Sequence, residues 1–363
     1  MKNNYFRLAY IPELDGLRGI AIIFVMLFHF EFPFFEGGFI GVDVFFVLSG
    51  FLITSLLIQE FDRIDHINLR YFYMRRVLRL GPALICLLVI FCCISFMVLD
   101  REEAIDNLID ALISLIYFSN WARAFMLHPP DFVGHTWSLS IEEQFYILWP
   151  ISLLILLRLI KDRRYIAITT FVIALCAWCL RAYLAVNQTP VERLYNGLDT
   201  RADALMIGCA LGVLVSSKLI SENIKKRLSK LLIIIAPFSM MGLFAFAIFG
   251  RWQGPVMYLY GFFMVEIFTA VLIIDCLIVN QSIIRRFLKI KWLVWIGSIS
   301  YGLYLWHYPI YRMLSAMGFS PFIVIVIGIL MTFAIAACSY YLLEKPILKF
   351  KEGFLGVVST KSC

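Results

Sequence analysis

Hydrophobic residues are gathered along this chain into long blocks, each close to the roughly 20 residues an α-helix needs to cross a bilayer. Polar residues are largely confined to the joints. Ten blocks are read near residues 18–34, 38–58, 82–99, 137–159, 165–186, 203–217, 231–249, 255–278, 293–313 and 321–343. The pattern predicts an all-α, polytopic membrane helical bundle of about ten transmembrane helices. One stretch behaves differently. In AIDNLIDALISLIY the apolar positions 105, 108, 109, 112, 113 and 116 recur at helical spacing, with Asp106, Asp110 and Ser114 on the other side. This is the period of an amphipathic helix, expected to lie on the outer membrane surface.

Composition strengthens this picture: 62% of the 363 residues are hydrophobic and only 16% charged, and the mean hydropathy is +0.86. The net charge of +7 points to nucleic acid only until its placement is considered. When the joints are assigned alternately to two sides, one side collects 23 of the 32 Lys and Arg and the other holds five. By the positive-inside rule both termini are then cytoplasmic, and no nucleic-acid partner is needed. The first block contains Arg18 and His29 and lacks a small-residue cleavage site, so it is expected to be a retained helix and not a leader. A membrane-embedded domain is expected over 1–350, with a short cytoplasmic tail at 351–363. Eight of the nine cysteines fall in apolar stretches, where Cys acts as a small hydrophobe. Cys176 and Cys179 are spaced as CxxC but have no second pair beside them, and no metal site is expected.

Arg18 and His29 lie eleven residues apart, which brings them within roughly 20° of one helical face and about 16 Å along the axis. An ionisable side chain inside a membrane helix costs about 2.5 to 3.5 kcal/mol on insertion scales, so two on one stripe call for a function. Counting from the outer helix ends places His29, Asp43, Glu142 and His307 at one depth, roughly 7 to 10 Å below the outer face. Arg201 and Asp203 fall just above. A layer drawn from four helices reads as a site, whereas Arg181 and Arg312, near outer ends, are more simply snorkelling. At the opposite end, RYFYMRRVLRLGP holds Arg70, Arg75, Arg76 and Arg79 just before the third span. Arg76 and Arg79 are one turn apart and can address a single anion, and guanidinium forks suit phosphate. Anchoring to lipid headgroups explains such a cluster equally well.

IPELDGLRGIAIIFVMLFH, with a basic residue, ten others and then His, resembles the opening helix of the acyltransferase 3 family of integral membrane acyltransferases. GGFIGVDVFFVLSGFLIT, FYMRRVLRLGP, HTWSLSIEEQFYILWP, DTRADALMIGCALG, ISYGLYLWHYPIY and SYYLLEKP continue the likeness in order over nearly the whole chain. Many members carry a C-terminal SGNH hydrolase-like domain. Its absence here leads to the expectation of a stand-alone enzyme.

The resemblance implies an O-acyltransferase of the bacterial inner membrane. It would move an acyl group, most often acetyl, from cytoplasmic acetyl-CoA to a hydroxyl of a surface saccharide, such as lipopolysaccharide O-antigen, exopolysaccharide or peptidoglycan, presented free or lipid-linked. By similarity, Arg76 and Arg79, with Arg75 beside them, would hold the CoA phosphates while the pantetheine arm rises past Arg18. His29 would be the base that takes the proton from the sugar hydroxyl. Glu142 or Glu143 would orient the imidazole. These two point about 100° apart, so only one can face His29.

Asp43, Arg201, Asp203, Tyr304 and His307 are expected to line the saccharide site. Simpler roles stand beside these: Asp43 could neutralise Arg201, His307 could be a structural hydrogen-bonder, and Asp15 could cap the first helix. Ser49, next to Gly50, is expected to permit close helix packing. A proton-coupled transporter is the rival reading, because buried His, Glu and Asp also mark proton relays. The internal repeat typical of transporters is missing. Oligomeric state is not legible.

Overall fold

A computed structural model of the chain describes residues 9–217, 219–279 and 281–354, which are helical almost throughout and contain no strand. In chain order the helices are α1 (Pro12–His29), α2 (Gly41–Ile64), α3 (Leu69–Val98), α4 (Arg101–Leu115), α5 (Ser119–Ala124), α6 (Trp137–Leu159), α7 (Arg163–Val186) and α8 (Val191–Asn196). Then follow α9 (Leu198–Ser216), α10 (Glu222–Phe249), α11 (Phe262–Ile278), α12 (Ile283–Leu288), α13 (Lys291–Ser298), α14 (Ser300–Ala316), α15 (Pro321–Cys338) and α16 (Lys345–Phe354). Of the tail expected at 351–363, residues 351–354 continue α16 and 355–363 lie outside the described residues.

Among the described residues, seven helical segments are long and apolar enough to cross a membrane: 38–64, 69–98, 134–159, 163–186, 222–249, 257–278 and 321–349. The protein is therefore a multi-pass membrane protein. Three further segments of the sequence pattern miss that standard. Two of them, α1 and α9, carry Glu13, Asp15 and Arg18, or Asp199, Arg201 and Asp203. The third is divided at Ile299 into α13 and α14.

The polar helices are the buried ones. Eleven of the 18 residues of α1 and 14 of the 19 of α9 are buried, against six of 30 in α3 and four of 18 in α15. Lipid tolerates apolar side chains and rejects charges, so the charged helices occupy the middle and the most apolar ones form a jacket with Val89, Phe96, Phe322 and Leu330 turned outward.

Small residues let the central helices meet. A Cβ on Gly50 of α2 would lie 2.1 Å from the Leu205 carbonyl oxygen of α9, and one on Gly208 of α9 would lie 2.2 Å from that of Val47. Two backbones this close leave room only for hydrogen at both positions. Gly50 thus supplies the close approach that was expected of Ser49 as well.

Helix α4 lies at the His29 end of the bundle, with its polarity reversed relative to a soluble helix. Asn107, Asp110 and Ser114 are buried against the protein, while Ile105, Leu108, Ile109 and Leu112 are exposed. Asn107 donates to Ser95, Asp110 meets His128, and Ser114 meets Thr136. The apolar face is left for the membrane interface. Burial raises the Asp110 carboxyl above its ordinary range, against the opposing pull of the Asp131 backbone N–H and His128.

Gly208→Leu is expected to abolish the monodisperse folded species in fluorescence-detected size exclusion. Gly81→Ala, where the nearest atom to a new Cβ is 3.9 Å away, should leave it unchanged.

Candidate active site

His29 is the last residue of α1, not a residue one turn inside it, because the chain turns off at Phe30. Its Nδ1 lies 3.0 Å from the Val25 carbonyl oxygen and 3.1 Å from Nε2 of His307 on α14. The Nδ1 of His307 in turn lies 2.7 Å from the Tyr304 carbonyl oxygen and 3.1 Å from that of Leu303.

These carbonyls assign the protons. A carbonyl only accepts, so His307 carries its proton on Nδ1 and, when neutral, presents a lone pair at Nε2. His29 then carries its proton on Nδ1, shared between Val25 and His307. Its Nε2 is left as a free lone pair. His307 is fully buried and His29 half-buried, so the outer member of the pair is the accessible one.

A third histidine stands behind them. His135, in the short turn Gly134–Thr136 ahead of α6, has its ring centroid 5.5 Å from that of His307, and neither of its buried ring nitrogens has a hydrogen-bond partner of ordinary geometry. Its carbonyl accepts from the Tyr304 hydroxyl, 2.8 Å away. Sequence reasoning passed over His135 although it heads the quoted HTWSLS segment. The signal was present: only five histidines occur in the chain, and this one directly precedes a span.

Below this cluster a cavity of about 160 Å³ opens among Arg18, Ser49, Arg76, Arg79, Glu142 and Tyr146, with Ser138 and Tyr304 also in its wall. Three guanidinium groups against one carboxylate leave it net positive, suited to an anionic or strongly polarised ligand. Arg76 is braced by the Tyr146 ring, 4.6 Å from its centroid. The cavity and the histidines share Tyr304: its side chain is in the wall and its carbonyl holds His307.

Several expected roles change. Glu142 faces the cavity and accepts from the Ser49 hydroxyl at 2.6 Å, while Glu143 points elsewhere with one buried oxygen unpaired. Neither is hydrogen-bonded to His29; that position belongs to His307. Arg75 turns away from the cavity to Glu60, 3.6 Å away, and packs on Tyr71. Asp15 is not the helix cap, since Ile11 occupies that position. It lies in the first turn and accepts from the Tyr10 hydroxyl at 2.8 Å.

Asp43, Arg201 and Asp203 are sealed inside the protein. Asp43 pairs with Arg201 at 2.6 Å, and Asp203 pairs with Arg181 at 2.6 Å, with Glu266 3.8 Å from the same guanidinium. Arg201 lies over the Phe262 ring at 3.9 Å. These groups form an internal ion network in place of the saccharide wall expected of Asp43, Arg201 and Asp203. Arg181 does not snorkel: it is fully buried and also donates to the Thr200 carbonyl. Arg312 is half-exposed and bound to Asp131 at 2.5 Å.

Fold and site together define a polytopic membrane protein with an ionisable pair at one end of its core and a cationic cavity beneath it. Residues 11–343 match the family model described as an acyltransferase domain, that of acyltransferase 3. The chain belongs to this family. It is 36% identical over 364 residues to the O-acetyltransferase OatA of Staphylococcus aureus, covering 95% of this chain and 58% of that protein. It is 34% identical over 364 residues to the peptidoglycan O-acetyltransferase OatA of Listeria monocytogenes, with 95% and 57% covered. The chain thus spans a little over half the length of these relatives. No solved structure matches it.

Asp43→Ala would strand Arg201 in the interior, and breaking a buried pair from one side costs about 3–5 kcal/mol. A large drop in thermal stability of the purified protein is expected, with most of it regained in Asp43→Leu/Arg201→Met. A stable Asp43→Ala variant would contradict the structural role.

Proposed function

We propose that the chain is a membrane O-acetyltransferase that moves an acetyl group from cytoplasmic acetyl-CoA to a hydroxyl of a cell-envelope saccharide on the other side of a bacterial cytoplasmic membrane. The observation that carries this reading is the continuity from cationic cavity to histidine pair through Tyr304. Helix order and the charge bias of the joints support ten spans with both termini cytoplasmic, which makes the arginine end the donor's side. A cavity of about 160 Å³ suits a slender thioester arm, and the nucleotide portion would rest outside against Arg76 and Arg79. The names of the relatives favour a peptidoglycan saccharide over lipopolysaccharide O-antigen as acceptor.

In the reaction, His29 Nε2 takes the proton of the sugar hydroxyl as its oxygen attacks the thioester carbon. The carbon–sulfur bond breaks and the proton passes from His29 to the departing sulfur. This leaves an acetyl ester and free CoA. His307 holds the imidazole of His29 in the tautomer that presents Nε2, the role an acidic residue fills in other catalytic pairs. Since general-base catalysis contributes on the order of 10² to 10⁴-fold, His29→Ala should abolish transfer of labelled acetyl to saccharide in proteoliposomes. His307→Ala should lower kcat on the order of a hundredfold with little change in either KM. Full transfer by a well-folded His29→Ala variant would falsify the assignment of the base.

Arg76→Ala/Arg79→Ala is expected to raise KM for acetyl-CoA while leaving that for the saccharide alone; unchanged donor affinity in equilibrium binding would sink the phosphate role.

A further inference from the structure

At the His29 end a second cavity, about 660 Å³, lies between the segment joining α1 to α2 and the one joining α10 to α11. Its walls include Phe28, Phe35 and Trp252, and Glu36, Arg251 and Gln253 supply polar groups. We propose that this cleft binds the acceptor saccharide, one sugar ring lying on Trp252 and its hydroxyls bonding to Glu36 and Gln253. The proposal rests on the acetyl-transfer reading and identifies where the acceptor sits.

Position is the first support. Phe28 immediately precedes His29, and their rings meet edge-on with centroids 5.0 Å apart. Phe28 lines the cleft and Arg18 lines the arginine cavity, so the two spaces are reached from opposite ends of α1, with His29 beside Phe28 at the cleft end. A hydroxyl entering from the cleft meets the base from the side away from the thioester. Chemistry is the second support. Sugars present apolar ring faces edged by hydroxyls, and a wall of aromatic faces rimmed by carboxylate, amide and guanidinium groups complements both. The volume is within the range of small-molecule sites and far above the donor cavity.

Rigidity is the third. Glu31, at φ +53°, ends α1 in a left-handed turn closed by the Phe32 N–H on the Leu27 carbonyl, and Phe34 has φ of +68°. They are held there from outside: the Tyr311 hydroxyl donates to Glu31 at 2.6 Å, and the Gly37 N–H donates to the Ala247 carbonyl. Across the cleft, the Trp252 carbonyl accepts from the Tyr258 hydroxyl at 2.7 Å, and its ring packs against Tyr195. Both walls are preorganised. Lipid anchoring accounts for Phe34, which is 79% exposed, and leaves the Glu36 carboxylate in the cleft wall unexplained.

The test uses the full chain in nanodiscs with the N-acetylglucosaminyl–N-acetylmuramyl disaccharide as probe. Saturation-transfer NMR should show disaccharide bound to the wild type and to His29→Ala, and lost or weakened on the order of tenfold in Trp252→Ala and Glu36→Gln. Trp252→Phe should retain most binding. Acetyl-CoA affinity and thermal unfolding should be unchanged in all of them, which separates loss of the subsite from loss of fold. Disaccharide binding that depends on Trp252 without any acetyl transfer would leave the cleft standing and refute the enzyme reading. Equal binding by wild type, Trp252→Ala and Glu36→Gln, or none by the wild type, overturns the cleft.

Discussion

A charged side chain cannot face lipid without a cost of several kcal/mol, and this chain carries ionisable groups on nearly every central helix. Everything else follows from hiding them. α1, α9 and α14 carry Arg18 and His29, Arg201 and Asp203, and His307, and are among the most buried helices, while α3 and α15 turn long apolar side chains outward. The close approach of α2 to α9 at Gly50 and Gly208 brings Asp43 within bonding distance of Arg201. Once paired, the two charges oppose any sliding of these helices, because displacement would leave both unpaired in a medium of low dielectric.

That core gives the site its two-ended form. The network of Asp43, Arg201, Asp203, Arg181 and Glu266 is a fixed block beside the histidines and does not itself open to either cavity. On one side of His29 is a small cationic space; on the other, a larger aromatic and acidic cleft. The first is narrow, about 160 Å³, and the second broad, about 660 Å³. Chemical asymmetry between the two sides is thus built into side-chain composition, and the histidine pair occupies the boundary.

The broad fold was legible because hydropathy reports lipid contact directly: the span expected at 137–159 coincides with α6, whereas α3, expected at 82–99, begins at Leu69 and holds Arg70, Arg75, Arg76 and Arg79 within its first turns and not before it, because its basic end escapes a hydropathy reading. Depth counting correctly put His29 and His307 together. It failed for Asp43 and Glu142, since a shared depth says nothing about azimuth: Asp43 turns toward α9 and Glu142 toward α2, where Ser49 meets it. The reading of Arg181 as a snorkelling residue failed for a related reason. Closeness to a helix end permits escape to water, but a carboxylate on a neighbouring helix competes for the guanidinium and won. His135 was passed over because span counting begins at Trp137 and leaves out the short turn before it, which the packed structure places against His307.

The use of histidine where a carboxylate was expected has a physical rationale. A carboxylate beside His29 would enter the core as a full charge, need its own compensating donors, and be drawn to the three arginines below. Glu142 shows this outcome, since it lies among Arg18, Arg76 and Arg79. A neutral imidazole orients His29 equally well through one hydrogen bond, avoids the desolvation cost of an ion, and leaves the arginine cavity positive for its ligand. Separating the orienting group from the charged pocket therefore lets one membrane interior hold a cation-lined cavity and a neutral histidine pair, joined through Tyr304.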